Sequence, residues 1–123
     1  MARRYASLAA VMVLSTAIAA PAQTPITPDN NKYTPAQDVQ LGQEAAAEAR
    51  QQLPMLNDEE IDGYVEDIGR RLVGAIPQQY RHDEFRYIFD VVNQQEINAF
   101  ALPGGPMFDN RGMIDAAKTE AEM

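Results

Sequence analysis

The feature that most constrains the fold of this chain is a change in the spacing of its apolar residues. Between residues 61 and 72 the apolar positions recur three and four residues apart, which places them on one face of an α-helix. From Phe85 to Val92 the period changes to two. Every second residue from Phe85 onward is aromatic or valine, which places these side chains on one face of a β-strand. The helical positions are Ile61, Tyr64, Val65, Ile68 and Leu72. The chain therefore combines helix and sheet.

Local signals give the bounds of two helices. Thr34, Pro35 and Gln37 predict a capped helix start, and Pro54 ends a helix that we expect over 35–52. A stripe of apolar side chains follows its expected buried face. The stripe is Leu41, Ala45, Ala49 and Leu53. The acidic run 57–60 predicts the start of a second helix, which Gly74 and Pro77 end.

The second half of the chain predicts strands and one further helix. After the strand from Phe85 we expect a strand over 99–102, a glycine turn over 103–106 and a third strand at Met107 and Phe108. Asp115 is then expected to cap a last helix, which is cut short. This order predicts an α+β domain, with the two amino-terminal helices packed on one face of a small antiparallel sheet.

The first 22 residues have the pattern of a secretory signal peptide. Arg3 and Arg4 precede an apolar run that ends at Ala20-Pro21-Ala22, a typical cleavage site. An uncleaved amino-terminal anchor is the alternative, but the apolar run is shorter than the roughly 20 residues that cross a bilayer. Residues 23–33 are rich in proline and polar residues and predict an extended linker. We therefore expect an exported protein, located in the periplasm after cleavage.

Charge and composition exclude several classes of function. The formal net charge is −8, which argues against nucleic-acid binding because that binding depends on Lys and Arg. The chain has no cysteine, so it forms neither disulfides nor thiolate metal sites. Its one histidine, His82, lies in a polar stretch and predicts an ordinary surface residue, since one histidine cannot supply the three protein ligands of a catalytic zinc.

Two blocks of residues resemble a zinc metallopeptidase family. The blocks are Ile97-Asn98-Ala99-Phe100-Ala101-Leu102-Pro103-Gly104-Gly105 and Asn110-Arg111-Gly112-Met113-Ile114. The family is that of the CAAX prenyl endopeptidase, the bacterial heat-shock membrane protease and the periplasmic beta-barrel assembly-enhancing protease. Upstream, Leu41-Gly42-Gln43 and Ile68-Gly69 also look like its exported members. The resemblance covers residues 33–123, essentially the whole chain after the signal peptide.

The resemblance implies a zinc-dependent endopeptidase whose catalytic helix lies beyond this chain. In such proteins the glycine hairpin leads to a helix with H-E-x-x-H, whose histidines bind zinc and whose glutamate is the general base. No such motif occurs here. Residues 34–123 are thus expected to be the amino-terminal, incomplete part of a metallopeptidase domain. Zinc is expected for the full-length parent only, and this chain alone is expected to bind no metal and to be inactive.

The resemblance also suggests which residues meet the substrate. In similar proteins the strand that contains Asn98, Ala99 and Phe100 lies beside the active cleft, so these residues are candidates for binding a protein or peptide substrate. The alternative is that Phe100 fills the core and Asn98 caps a turn. Gly104 and Gly105 are expected to serve the backbone geometry of the turn rather than a ligand. Asp109 departs from the family pattern, and aspartate is disfavoured in strands, so the sequence leaves the strand pairing there open.

Other functions remain open from the sequence. A non-catalytic periplasmic binding or regulatory module could keep the substrate-facing hairpin without catalysis, and a structural envelope protein would share only the export signal. For the peptidase reading, envelope protein quality control is one expected role, and peripheral membrane association is another expectation. The sequence does not indicate an oligomeric state.

Overall fold

The computed structural model describes residues 30–123. The predicted signal peptide and residues 23–29 of the predicted linker lie outside this part. Residues 30–33, at the end of the linker, are exposed and belong to no helix or strand. The amide of Asn31 donates a hydrogen bond of 3.0 Å to the carboxylate of Asp38. The end of the linker is therefore tied to the first turn of the helix that follows.

The described residues form an α+β domain, as predicted. Two long helices come first, then a small sheet, then a short helix. The elements are α1 (Pro35–Gln52), α2 (Glu59–Gly74), β1 (Ile88–Val92), β2 (Ala99–Ala101), β3 (Pro106–Asn110) and α3 (Arg111–Ala116), with single 3₁₀ turns at Gln78–Tyr80 and Glu120–Glu122.

Both long helices begin where the local signals predict. The Thr34 side chain accepts a hydrogen bond from the Gln37 N–H, and the Gln37 side chain accepts one from the Thr34 N–H. This reciprocal capping box satisfies two N–H groups that the helix itself leaves without partners. At α2, the Asp58 carboxylate accepts from the N–H groups of Glu60 and Ile61. The acidic first turn of α2 also faces the positive end of the helix dipole.

The sheet is mixed, and the prediction of a purely antiparallel sheet is wrong. The strand order is β1-β3-β2, with β1 and β3 parallel and β2 and β3 antiparallel. The segment over 93–98 leads from β1 past the end of β3 to β2. The chain then returns through the glycine hairpin as β3, which lies between β1 and β2. The N–H of Gly112 donates to Gln94 and the N–H of Asn110 donates to Asn98, each at 2.9 Å. These two bonds hold the crossing segment in place.

The two long helices lie on opposite faces of this sheet, not on one face as predicted. On one face, Ala46 of α1 packs against Val92 and Phe108. On the other face, Phe89 lies directly against Gly69 of α2, where an added Cβ would overlap the phenyl ring. Val91 is 2% exposed and Val92 is fully buried, although neighbouring residues of a strand point to opposite faces. A sheet covered on both sides explains why both are buried.

The predicted stripe of α1 packs against the core at Ala49 and Leu53, but the buried face is displaced nearer the start of the helix. Gly42 and Ala46 are buried, whereas Leu41 is 42% exposed. Small residues replace leucine at the contact because α1 approaches the glycine hairpin very closely. In α2, Val65 and Ile68 are buried as predicted, but Tyr64 is exposed and Leu72 is 65% exposed. The predicted core face of α2 is therefore covered only in its middle.

Several element bounds differ from the prediction, and β3 extends over Pro106–Asn110 rather than Met107 and Phe108 alone. β1 begins at Ile88 rather than Phe85, although the Arg86 N–H still donates to Gly104 at 2.8 Å. The second strand ends at Ala101 rather than Leu102. Asp115 does not cap the last helix, because α3 follows β3 directly, with Asn110 at its N-cap position. Asp115 instead lies inside α3, where it pairs with Arg111 one turn earlier.

Candidate functional site

The candidate site is the outer edge of β2, which is the last strand on its side of the sheet. The Leu102 N–H donates to Pro106 at 2.8 Å, and Asn98 accepts from Asn110 at 2.9 Å. Because hydrogen-bonding groups alternate in direction along an antiparallel strand, the groups of Phe100 also point to β3. Those of Ala99 and Ala101 point outward. Within residues 30–123 no further strand pairs with this edge.

The hairpin that precedes β3 is fixed by its glycines and by α1. Gly104 has a φ of 75° and Gly105 a φ of 120°, in the region that favours glycine. A Cβ on Gly104 would lie 2.5 Å from the Cα of Val39 in α1. The predicted structural role of both glycines is consistent with these angles. The edge of β2 is thus supported by a hairpin that packs closely on a long helix.

The three predicted substrate residues lie in three different environments. Asn98 is exposed, and its carbonyl closes the ladder with Asn110. Ala99 is exposed and lies opposite Asp109 in the pairing. Phe100 is half-buried and stacks on Phe108, with ring centroids 4.9 Å apart. The structure brings Asn98 and Ala99 together at the accessible edge, while the ring of Phe100 belongs to the core.

Asp109 pairs on both of its sides, so the pairing that the sequence left open at this position is formed. Its register partners are Val91 in β1 and Ala99 in β2. Asp109 lines an apolar hollow of about 150 Å³ together with Phe89, Met107 and Met113. Burial raises the pKa of the Asp109 carboxyl above its usual value. The sequence marks this carboxyl as unusual, because it follows Phe108 within a strand.

We expect Asp109→Asn to stabilise the chain at neutral pH. Because the pKa of Asp109 is raised in the folded chain, the folded chain holds the carboxyl proton more tightly than the unfolded chain does. The ionised carboxylate therefore opposes folding at neutral pH. This loss of stability disappears as the pH falls and the carboxyl is protonated. The gain at pH 7 should be a few tenths to about 1 kcal/mol, since the group is only partly buried. Urea unfolding from pH 4 to pH 7 measures it.

The matched control for this prediction is Asp83→Asn, which removes one charge from an exposed loop. We expect the advantage of Asp109→Asn over this control to grow as the pH rises. A gain that is equal for both variants, or constant with pH, would contradict a role for burial at Asp109.

The described part of the chain does not supply a zinc site. Within residues 30–123 no group of three or more His, Cys, Asp or Glu side chains is placed to hold a metal ion. His82 is exposed and stacks on Phe85, with ring centroids 4.7 Å apart. With one histidine and no cysteine, this chain does not fit the ligand set that the resemblance implies.

No helix among the described residues has the length and apolar character needed to cross a bilayer.

Comparisons with known proteins leave the family of this chain as a prediction. No protein-family model matches the sequence, and no curated protein matches it either. The metallopeptidase resemblance therefore depends on residue patterns alone, chiefly the blocks Ile97–Gly105 and Asn110–Ile114. The structure adds the positions of those blocks in the fold, which are the open edge, the hairpin and the start of α3.

Proposed function

We propose that this chain is the amino-terminal portion of an exported zinc-dependent metalloendopeptidase that acts on protein or peptide substrates in the periplasm. The observation that supports the proposal is the open edge of β2. It carries the Asn98-Ala99-Phe100 segment of the family resemblance, and the main-chain groups of Ala99 and Ala101 face outward from it. Peptidases commonly bind a substrate by adding it to such an edge as an extended strand.

The chemistry of the edge suits a substrate of varied sequence. A substrate backbone that lies alongside β2 would exchange hydrogen bonds with the N–H and C=O groups of Ala99 and Ala101. Methyl side chains at both positions leave room for a close approach of a second backbone. Main-chain bonds give affinity without reading side chains, as a general endopeptidase requires.

The edge is also held in a fixed position. Leu102 bonds to Pro106 across the hairpin, and α1 packs against Pro103 and Gly104 from one side. A binding strand that is already ordered does not lose conformational entropy when the substrate arrives. In the proposed enzyme the edge of β2 binds and orients the scissile peptide. The metal, held by residues outside this chain, would supply an activated water for hydrolysis.

An uncovered apolar surface supports the idea that further residues pack on this domain. The hollow beside Asp109 is lined by Leu72, Met113 and Met123, and Leu72 is 65% exposed. An exposed apolar face on an otherwise amphipathic helix commonly marks a surface that another element covers. In the proposed enzyme this element is the one that continues from 120–122.

The coding DNA tests the proposal first. We expect the sequence that follows the codon of Met123, in this or another reading frame, to encode H-E-x-x-H on a helical segment. If a long stretch of downstream sequence holds no such motif in any frame, the proposal of a truncated peptidase fails.

In the extended protein, Ala99→Pro should weaken cleavage without unfolding the sheet. Proline removes the N–H that points outward from β2 and leaves the bonds of Asn98 and Phe100 to β3 intact, and prolines are tolerated at sheet edges. The loss of one substrate hydrogen bond and the added ring should lower kcat/KM by roughly 10- to 100-fold. Cleavage kinetics on a fluorogenic peptide measure this.

Ala99→Ser is the control, because it adds a small side chain and keeps the N–H. We expect it to change kcat/KM by less than about threefold. Equal losses for the two variants, at unchanged melting temperatures, would show that the N–H of Ala99 does not bind substrate.

The same open edge would also serve a non-catalytic binding or regulatory module, since strand addition uses main-chain groups and needs no catalytic residue. This alternative predicts that peptides bind along β2 and remain intact in every form of the protein.

A further inference from the structure

We propose that the outer edge of β1 is a second docking site, which binds an extended protein segment carrying Lys or Arg by adding it as a strand beside α2. β1 lies at the end of the sheet opposite β2, so this site is separate from the proposed substrate edge. The inference does not depend on peptidase activity.

The outer edge of β1 is paired only at its carboxyl end. There the Leu56 N–H donates to Val91 at 2.9 Å, and the Asn93 N–H donates to Pro54 at 2.7 Å. Because directions alternate along a strand, the groups of Tyr87 and Phe89 point to this same outer side. The Arg86 N–H, which donates inward to Gly104, agrees with that alternation. Among residues 30–123 no strand pairs with the edge at Tyr87 and Phe89.

A groove runs along this unpaired part of the edge. Near Asp62 and Asp90 it has a volume of about 310 Å³, and it continues past Arg70 and Val73 as a hollow of about 230 Å³. Its lining shows that α2 runs antiparallel to β1, since Asp62 lies near Val91 whereas Val73 lies near Tyr87. A strand added to this edge would therefore run alongside α2.

Acidic side chains of α2 are spaced to meet such a strand. Asp62 and Glu66 are one helical turn apart, a separation of roughly 5–6 Å. Alternate residues of an extended strand are about 6.6–6.8 Å apart on the same face. A basic residue of the added strand can therefore meet Asp62, while Glu66, one turn further along α2, is already paired with Arg70.

The charges around Asp62 indicate a basic occupant. Asp90 pairs with Arg50 at 2.7 Å, and Glu66 pairs with Arg70. Asp62 has no cationic side chain within 4.0 Å among the described residues. Burial is the largest cause that raises the pKa of its carboxyl, and repulsion from Asp58 and Asp90 adds to it. An ammonium or guanidinium group beside Asp62 would offset this repulsion.

The same charges disfavour a second copy of this chain as the occupant. Pairing two β1 edges would bring together two Asp62 carboxylates, neither of which forms an ion pair within residues 30–123, whereas Glu66 and Asp90 are each paired with an arginine. The chain has a formal net charge of −8, so association of two copies is also opposed at longer range. An extended segment with basic residues has the complementary charge and needs only main-chain groups to pair.

The test is titration of the ¹⁵N-labelled 123-residue chain with an acetylated, amidated eight-residue peptide that alternates Lys and Thr. We expect the largest amide shifts at Tyr87, Phe89 and Val91. A peptide that alternates Glu and Thr should cause none. Asp62→Asn should raise the Kd for the Lys peptide at least about fivefold at low salt.

The matched control is Asp67→Asn, which removes the same charge from an exposed position of α2 outside the groove. It should change the Kd less than about twofold. Equal weakening by both variants, shifts confined to Ala99 and Ala101, or no shifts with millimolar Lys peptide would each overturn the proposal.

Discussion

Replacing Gly42 by alanine should prevent α1 from docking on the hairpin and should destabilise the fold severely. Gly42 is buried in the middle of α1, and a Cβ there would overlap the carbonyl oxygen of Pro103. That atom belongs to the backbone and cannot rotate away, so the helix or the hairpin has to move. Overpacking of this kind should cost about 3 kcal/mol or more. The melting temperature should fall by roughly 10 °C or more.

Gly63→Ala is the matched control, because Gly63 also lies inside a long helix. An added Cβ at this position meets nothing within 4 Å. Alanine is the better helix former, so this variant should gain up to about 1 kcal/mol. Circular dichroism during thermal and urea unfolding distinguishes the two effects. Similar stabilities for the two variants would show that α1 does not contact the hairpin at Gly42 as described.

Sequence patterns predict the helices of this chain well because their signals are local. Thr34, Gln37 and Pro35 define the start of α1 within one turn, and Asp58 caps α2 in the same way. Each start depends on hydrogen bonds between residues at most three positions apart. Such bonds can be read from the sequence without any knowledge of the rest of the fold.

The arrangement of the sheet could not be predicted in this way. The order β1-β3-β2 depends on how the segment over 93–98 crosses β3, and this involves contacts between distant residues. Val92 faces α1 and Val91 faces the opposite side of the sheet. Strand alternation predicts that the two valines lie on opposite faces, but it does not predict which helix covers each face. The exposure of Leu41 has a similar cause, since the hairpin contact buries Gly42 and the sheet contact buries Ala46 instead.

The candidate site could be predicted in part. The sequence blocks identify the segment Asn98-Ala99-Phe100, but hydrogen-bond direction decides that Ala99 and Ala101 face outward. The ring of Phe100 packs on Phe108 across the strand pair, a contact that no spacing rule assigns. Asp62 lies just after the acidic helix start 57–60 in the sequence, where no pattern distinguishes it, and its place beside β1 follows from the packing of α2.

For the proposed endopeptidase, the largest expected effect on function is the dependence of cleavage on zinc and on an H-E-x-x-H motif. Zinc lowers the pKa of bound water far enough for attack on a peptide carbonyl near neutral pH. This chain offers one histidine and no cysteine to hold the metal. In the proposed enzyme the edge of β2 orients the substrate, and the metal that activates the water is held by the histidines of H-E-x-x-H. The 123-residue chain should be inactive, and the extended protein with H-E-x-x-H should be active.

Casein cleavage tests this account most directly. It is measured in parallel for the extended protein and for the 123-residue chain, each with and without a zinc chelator. We expect the extended protein to cleave casein, the chelator to abolish cleavage and added zinc to restore it, while the 123-residue chain stays at the level of a mock preparation. Zinc-dependent cleavage by the purified 123-residue chain, or none by an extended protein that contains H-E-x-x-H, would contradict the account.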